Sequence, residues 1–306
     1  MNTTAGTHRD DGFFDEPVGI SVLVDDAACP GDEAEHGFAV WVRYRGTNIL
    51  FDTGQGSALF ANAARRTIAL DTANVVVLSH GHYDHTGGVA RMLALAPKAR
   101  FVMHPAALKT RFAITPGQPA RSIGMPEEAR PALLVAGSGR VSFSAGPSAA
   151  APGAGITGAV PRLTAFEDTG GPFFLDERGG MPDELEDDQA LWLATGAGPV
   201  VCVGCAHAGL INTLQAVCRI SGESRIRAVI GGLHLLNADD ARLQATVAGL
   251  RALGVAFIAP CHCTGERAVR ALAQAFPGSC VPCRTGTVMR FLDDGRMVAG
   301  QPGVLV

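Results

Sequence analysis

Short apolar runs and stretches with helical spacing follow one another along the chain and predict strands and helices in alternation. Val18–Asp25 and Phe38–Tyr44 are apolar or alternating in the manner of strands, and Asn48–Phe51 predicts a third strand after a turn. Residues 57–69 have the apolar spacing of a helix, with Ser57 in the position of an N-cap. The first part of the chain is therefore predicted to be an α/β unit.

A buried strand, a glycine turn and a helix recur in both halves of the chain. In the first half, Val75–Leu78 is a run of four apolar residues, three of them β-branched, and Val89–Ala96 predicts a helix. In the second half, Pro199–Val203 predicts a strand and 209–220 a helix. Other segments predict strands at 100–104, 190–195, 227–231 and 255–260, and helices at 239–253 and 264–275. Such alternation is typical of sheets covered by helices.

Two segments depart from this alternation. Residues 1–16 are polar and charged, and we expect them to form a flexible N-terminal lead-in. Residues 113–165 are rich in Gly, Pro and Ala, and long loops inside a compact domain are usually lids or binding loops. The predicted organisation is a single domain over 17–306, with a substrate-facing insertion around 113–165.

Composition narrows the classes of function. A hydrophobic fraction of 47%, a charged fraction of 18% and a net charge of −4 describe a globular protein without the positive field of a nucleic-acid binder. No apolar run approaches the roughly 20 residues of a membrane helix, and the N-terminus lacks a signal-peptide core, which predicts a cytoplasmic protein. Lys98 and Lys109 are the only lysines, so arginine or metal would hold an anionic substrate. The sequence leaves the oligomeric state open.

The turn after Val75–Leu78 carries three histidines and a carboxylate within six positions. In an extended segment side chains alternate between faces, so His80 and His82 point the same way and can bind one metal ion. Asp84 and His85 follow at a bend, where they could serve a second ion. Imidazole with a single carboxylate suits zinc, and also iron or manganese, better than calcium or magnesium.

Further donor residues follow later strands. Cys205 and His207 come after Pro199–Val203, where Cys205 could supply a thiolate or be an inert small residue beside a ligating His207. His262 follows the strand at 255–260, and His234 follows the strand at 227–231 as a ligand, general acid, substrate contact or structural group. The second half of the chain therefore offers donors in the same strand-end positions as the first half.

Several polar residues admit two interpretations. Asp52, at the end of a strand, is either a turn carboxylate or a buried acceptor that orients the ligand turn. His104 and Arg111 could line the substrate pocket, although a lone histidine is more often structural. The acidic run 184–189 is interpreted as a solvated turn. The eight cysteines are predicted to be thiols rather than disulfides, with a four-thiolate zinc site as a weaker alternative formed by Cys261, Cys263, Cys280 and Cys283.

The first histidine cluster resembles the His-x-His-x-Asp-His signature of the metallo-β-lactamase fold superfamily. Phe51-Asp52-Thr53-Gly54 is similar to the Asp-Thr-Gly strand end of the same superfamily. Segments 204–209, 230–235 and 260–265 resemble the branch of metallo-hydrolases that includes the archaeal dihydropterin ribofuranosyl-aminobenzene phosphate synthases. The resemblance covers roughly residues 18 to 290.

This resemblance implies an αβ/βα four-layer sandwich with the ligands on loops at one edge. It implies two zinc ions, or iron or manganese, with Asp52 as their support and Asp84 and His234 as catalytic groups. The implied ligands of one ion are His80, His82 and His207, and those of the other are Asp84, His85 and His262. The middle histidine usual in the superfamily has no counterpart, because no histidine lies between His104 and His207.

The function predicted from these residues is metal-dependent hydrolysis by a metal-bound hydroxide at a dinuclear site. The substrate would be a phosphorylated or ester-type small molecule. A dihydropterin-type transferase that releases pyrophosphate is the alternative implied by the closer resemblance. A di-iron oxidoreductase is disfavoured because such relatives carry a carboxylate in place of His82, together with a flavin domain. A non-catalytic binding module is disfavoured because the first ligand cluster is complete.

Overall fold

The structure, a computed structural model, describes residues 18–292, 296–301 and 304–305. The lead-in predicted for residues 1–16 lies outside these described residues. The strands are β1 Val18–Val24, β2 Ala39–Tyr44, β3 Thr47–Phe51, β4 Val75–Val77, β5 Arg100–Met103, β6 Phe112–Ala113, β7 Arg121–Ser122, β8 Val141–Phe143, β9 Ser148–Ala151, β10 Ala154–Ile156, β11 Phe173–Phe174, β12 Ala190–Leu193, β13 Val200–Val203, β14 Ala228–Gly232, β15 Phe257–Cys261, β16 Val288–Phe291, β17 Met297–Gln301 and β18 Val304–Leu305. The helices are α1 Ser57–Arg65, α2 Tyr83–Thr86, α3 Val89–Leu95, α4 Ala129–Ala136, α5 Leu210–Ser221, α6 Asp240–Ala252 and α7 Glu266–Ala275.

The described strands form two large mixed sheets and one small sheet. The larger sheet has nine strands in the order β18-β17-β16-β1-β2-β3-β4-β5-β8, and the second has six in the order β15-β14-β13-β12-β10-β9. Strands β3, β4, β5 and β8 run parallel, as do β13, β14 and β15. Strands β11, β6 and β7 form the small sheet.

The two large sheets pack face to face, and helices cover both outer faces. In β2, Val40 and Val42 face the core between the sheets, whereas Ala39 and Trp41 face the helix-covered side. Helices α1, α3 and α4 pack on the outside of the nine-stranded sheet, and α5, α6 and α7 on the outside of the six-stranded sheet. Strands buried on both faces read as continuous apolar runs. The predicted αβ/βα four-layer sandwich is confirmed.

The parallel strands of both sheets direct their carboxyl ends toward one edge. Asp52 follows β3, His80 lies three residues after β4, and Cys205 lies two residues after β13. His234 lies two residues after β14, and His262 immediately follows β15. Because the turns of both sheets meet at this edge, side chains far apart in sequence contact each other there.

Part of the segment 113–165 lies at the edge where the donor residues meet, and the rest belongs to the two large sheets and the helix layer. Strands β6 and β7 lie in the small sheet, and Ala113 and Arg121 line the cavity described below. Helix α4 packs on the outside of the nine-stranded sheet, β8 joins that sheet, and β9 and β10 join the other. The short strands β9 and β10, made mainly of alanine and glycine, gave no periodic signal. The domain limits 17–306 stay a prediction.

Helix α1 is capped by a residue distant in sequence. Its N-terminal neighbour is Gly56, and the hydroxyl of Ser57 donates a hydrogen bond to Glu35 Oε2 at 3.1 Å. The Glu35 carboxylate also accepts hydrogen bonds from the N–H groups of Gln55 at 2.8 Å and Ala58 at 3.1 Å. The prediction of Ser57 as the cap is therefore wrong. The helices of the described chain all fall short of the length and apolarity that a membrane span requires.

Candidate metal centre

His80, His82 and His207 form the first group of donors at the shared edge. His80 Nε2 lies 2.9 Å from His82 Nδ1, and the ring of His207 lies 4.8 Å from that of His80 and 5.0 Å from that of His82. All three residues are buried. The Nε2 atoms of His82 and His207 have no hydrogen-bond partner among the described residues. Buried polar atoms are almost always paired, so these two nitrogens are suited to a ligand.

Asp84, His85 and His262 form the second group. Asp84 Oδ2 lies 3.7 Å from His85 Nε2 and 3.6 Å from His262 Nε2. Cys205 Sγ lies 3.3 Å from His85 Nε2, and donor atoms of His85, Cys205 and His262 lie within 4.8 Å of one another. Cys205 therefore reaches this group, and it also belongs to a group with His80 and His207.

Burial sets the protonation of these residues. Burial, together with neighbouring histidines, lowers the pKa values of His80, His82 and His207 well below the usual range, which leaves neutral imidazoles. For His262, burial opposes protonation, but nearby Cys263 and the carboxylates of Asp26 and Asp84 raise its pKa to about 10. The first group is therefore ready to donate lone pairs, whereas in the second group His262 holds a proton among negatively charged neighbours, and a bound ion would replace that proton.

Asp52 supports one histidine of each group. Its Oδ2 atom accepts hydrogen bonds from His85 Nδ1 at 2.8 Å and from Ser79 Oγ at 2.6 Å, and Ser79 Oγ lies 2.9 Å from His80 Nδ1. The structure thus favours the interpretation of Asp52 as a buried acceptor. Similarly, His207 Nδ1 donates to the carbonyl of Thr169 at 2.9 Å, so its Nε2 carries the free lone pair.

Two residues near the second group were missed in the sequence. His36 Nε2 lies 3.3 Å from Asp84 Oδ2, and its Nδ1 lies 3.1 Å from Asp26 Oδ2. Asp26 Oδ1 in turn lies 2.7 Å from His262 Nδ1. The signal available was the strand-end position of Asp26 after β1, with His36 just before β2.

In the acidic run 184–189, Glu184 and Glu186 are exposed but Asp187 and Asp188 are buried at the site, so the interpretation of the whole run as a solvated turn is wrong. Asp187 holds the turn that carries His80 and His82, and Asp188 holds the turn that carries His207. Asp187 Oδ2 accepts a hydrogen bond from the N–H of Gly81 at 2.7 Å, and Asp188 Oδ2 accepts one from Ala208 at 2.7 Å. Burial raises the pKa of Asp188 to about 7. No local pattern in the run distinguishes these carboxylates from solvated ones.

His104 and Arg111 do not line the cavity, which corrects their assignment as ligand or substrate contacts. Arg111 is fully buried, and its Nε donates to Asp183 Oδ2 at 2.6 Å and its Nη1 to Asp187 Oδ2 at 2.9 Å. His104 Nδ1 accepts a hydrogen bond from the N–H of Ala106 at 3.1 Å and starts a 3₁₀ turn. Both side chains are structural.

His234 lines the cavity beside the first group. Its ring lies 4.2 Å from that of His207, and its buried Nδ1 has no hydrogen-bond partner among the described residues. Its φ of 49° is in the left-handed region, as are those of Asp52 at 60° and His262 at 47°. Non-glycine residues in this region cluster at functional sites.

The four-thiolate site does not form. Cys261 and Cys283 pack in the core between the sheets, Cys280 packs on the helix-covered side, and Cys263 lines the cavity. All eight cysteines are free thiols. Cys263 instead lies near Cys205, with its Sγ 3.9 Å from the Cys205 carbonyl oxygen.

A cavity of about 870 Å³ opens beside both groups. Its walls combine apolar side chains, among them Phe173, with three guanidinium groups and the carboxylates of Asp25, Asp26, Asp84 and Glu266. Phe173 contacts the histidines, with its ring 5.3 Å from that of His82 and 5.4 Å from that of His207. The arginines that line the cavity are Arg121, Arg270 and Arg284. The cavity has the size and character of a small-molecule site.

Comparison with known proteins defines the class. The family model of the Metallo-beta-lactamase superfamily matches residues 33–262, and the chain belongs to this superfamily of metal-dependent hydrolases. The predicted resemblance is confirmed. The family and the clustered donors imply binding of a divalent metal.

Three relatives are similar to this chain over most of their own length. A 7,8-dihydropterin-6-methyl-4-(beta-D-ribofuranosyl)-aminobenzene-5'-phosphate synthase of Methanocaldococcus jannaschii is 29% identical over 84% of this chain and 90% of its own. An uncharacterized protein of the same organism is 30% identical over 83% of this chain and 94% of its own. The solved structure of Tm1679, described as a metal-dependent hydrolase of the beta-lactamase superfamily, has a TM-score of 0.75 and 32% identity and covers 89% of this chain and 98% of its own.

Proposed function

We propose that the protein is a hydrolase with a dinuclear metal site that acts on a phosphorylated or ester-type small molecule. The observation that carries this proposal is the meeting of two donor groups at the wall of one cavity. The proposed ligands of the first ion are His80, His82 and His207, and those of the second are Asp84, His85 and His262.

The donor set fits zinc, and iron or manganese would use similar ligands. The unpartnered Nε2 atoms of His82 and His207 support this fit, because a buried unsatisfied polar group costs about 1–3 kcal/mol. The neutral imidazoles of His80, His82 and His207 are also in the form that binds metal. When bound, such ions polarise a substrate oxygen and lower the pKa of a coordinated water from ~15.7 to about 7.

The side chains around the ions have separate tasks. Asp84 keeps its charge because the surrounding histidines lower its pKa against the opposing effect of burial, so it can orient the attacking group. His234 lines the cavity, and although burial opposes protonation, Cys263 raises its pKa. Without an ion beside it, a protonated His234 is suited to donate a proton to the leaving group, and an ion bound by its ring nitrogen would take the place of that proton.

The cavity walls support an anionic substrate with an apolar or planar part. Arg121 and Arg284 offer positive charge and Phe173 offers a ring face, whereas Arg270 is paired with Glu266 at 3.2 Å. A pterin-type transfer that releases pyrophosphate is the second candidate, favoured by the name of the 29% identical relative and by this ring face. The cytoplasmic location stays a prediction.

Metal content by inductively coupled plasma mass spectrometry tests this function. Wild type should hold about two zinc ions in the histidine–carboxylate groups, and His82→Ala should lose metal together with phosphoesterase or pterin-phosphate turnover. His104→Ala is the matched control, because His104 is a buried histidine outside the cavity. Full metal content in His82→Ala would contradict the proposal, and iron in place of zinc would favour a redox enzyme.

A further inference from the structure

A third cluster of donors lies beside the two histidine groups. Cys205, His234 and Cys263 each offer one donor atom, and these atoms lie within 4.8 Å of one another. The three residues come from the turns after β13, β14 and β15, and all three line the cavity. None of the three belongs to the ligand sets proposed above.

The imidazole of His234 is held in place while one of its ring nitrogens, Nδ1, lacks a hydrogen-bond partner among the described residues. A Cβ atom at Gly170 would lie 1.8 Å from His234 Cδ2 and 2.3 Å from Nε2, so this edge of the ring packs on bare backbone. The other nitrogen, Nδ1, is buried and has no hydrogen-bond partner among the described residues. The left-handed backbone of His234, with φ of 49°, sets the direction of the ring. The backbone of His234 is therefore strained, and the conformation leaves one buried nitrogen of its ring without a hydrogen bond to any described residue.

Two sulfur atoms complete the cluster. Cys263 approaches Cys205 closely because Gly232 has no side chain, since a Cβ there would lie 2.6 Å from Cys263 Sγ. The sulfur of Cys205 is also a member of the group with His85 and His262. A thiolate has lone pairs enough to bind two ions, so Cys205 can belong to both positions. Sulfur with imidazole is a donor set that selects zinc and similar thiophilic ions.

We propose that Cys205, His234 and Cys263 form a further metal position for zinc or another thiophilic divalent ion. Three protein ligands leave a fourth coordination position free for water or substrate, as in catalytic zinc sites. The position adjoins the dinuclear site of the proposed function, because Cys205 also lies beside His85 and His262, but it depends on neither His82 nor Asp84. An experiment can therefore disprove this metal position without disproving the proposed function, and the reverse.

Titration of the full-length protein with Co²⁺ tests this position, with bound metal counted after desalting and the thiolate-to-cobalt absorption recorded. Cys263→Ser removes one sulfur at nearly constant volume. Cys218→Ser is the matched control, because Cys218 is a thiol on α5 that does not line the cavity. His234→Asn is a second variant, because asparagine tolerates the left-handed backbone. Circular dichroism checks that each variant folds.

We expect Cys263→Ser and His234→Asn each to bind about one equivalent of Co²⁺ less than wild type. Cys263→Ser should also lose part of the thiolate-to-cobalt band, and Cys218→Ser should match wild type in both readouts. An unchanged metal count in either folded variant overturns the position, even if the band weakens, because Cys263 would then only serve an ion of the neighbouring group. If Cys263→Ser does not fold, the count in His234→Asn decides.

His82→Ala separates the two proposals. Loss of metal in His82→Ala with the Cys263-dependent equivalent retained supports both proposals. A Cys263-dependent equivalent in a protein whose metal content is insensitive to His82→Ala would overturn the proposed function and leave this position standing.

Discussion

Asp52 Oδ2 accepts a hydrogen bond from His85 Nδ1 at 2.8 Å, in a position where both side chains are fully buried. The same carboxylate reaches His80 through the hydroxyl of Ser79. One acidic side chain therefore orients a histidine in each of the two donor groups.

Asp52→Asn should weaken metal binding about 10–100-fold, because groups that orient metal ligands have effects of this size. The amide keeps the volume of the carboxylate but loses its charge. Competition with a chromophoric chelator measures the change. Asp71→Asn, at an exposed aspartate in a 3₁₀ turn, is the control. Equal affinities in Asp52→Asn and wild type would show that Asp52 serves the fold alone.

Gly170→Ala should displace the imidazole of His234. The added Cβ would lie 1.8 Å from His234 Cδ2, and the φ of +83° adds strain of about 1–2 kcal/mol. Gly117→Ala is matched in backbone, with a φ of +79°, but has no atom within 4 Å of the added Cβ. Thermal unfolding should show a loss of stability in both variants. Only Gly170→Ala should lose turnover, and a normal rate there would exclude a catalytic role for His234.

Arg111→Ala should destabilise the protein by roughly 3–5 kcal/mol, because it leaves the buried carboxylates of Asp183 and Asp187 without their cation. Lys109→Ala removes a cation from an exposed pair with Glu186 and should cost about 0–1 kcal/mol. Urea unfolding of the two variants compares them directly. Similar midpoints would mean that the buried pairs do not hold the acidic run in place.

Asp188 should make stability depend on pH. Burial raises its pKa from 3.8 to about 7 in the folded state, so the folded chain binds a proton that the unfolded chain releases. Its contribution is fully present below pH 3.8 and is lost as the pH rises to about 7, a fall of roughly 4 kcal/mol. Asp188→Asn removes this term while its amide oxygen still accepts from Ala208. The unfolding free energy of the wild type should therefore fall relative to that of the variant across this range, and a constant difference would contradict the assignment.

Local patterns of apolar residues predicted many of the strands and helices correctly. The strand over Val75–Leu78 and the helix over 239–253 follow from apolar runs and helical spacing, and the structure has them at Val75–Val77 and Asp240–Ala252. The short strands β9 and β10 were missed, because their alanine and glycine residues carry no hydrophobic period. They are strands because neighbouring strands pair with them.

The sequence by itself determined the class of fold and the candidate donors, because strand-end histidines at fixed spacing are local features that read directly from the chain. Only the tertiary structure decided which donors meet. It placed Cys263 beside Cys205 and His36 beside Asp84, and it buried Asp187, which looked solvated. The physical reason is that the burial and partner of a polar side chain depend on what packs across from it, and those residues lie on other turns of the two sheets.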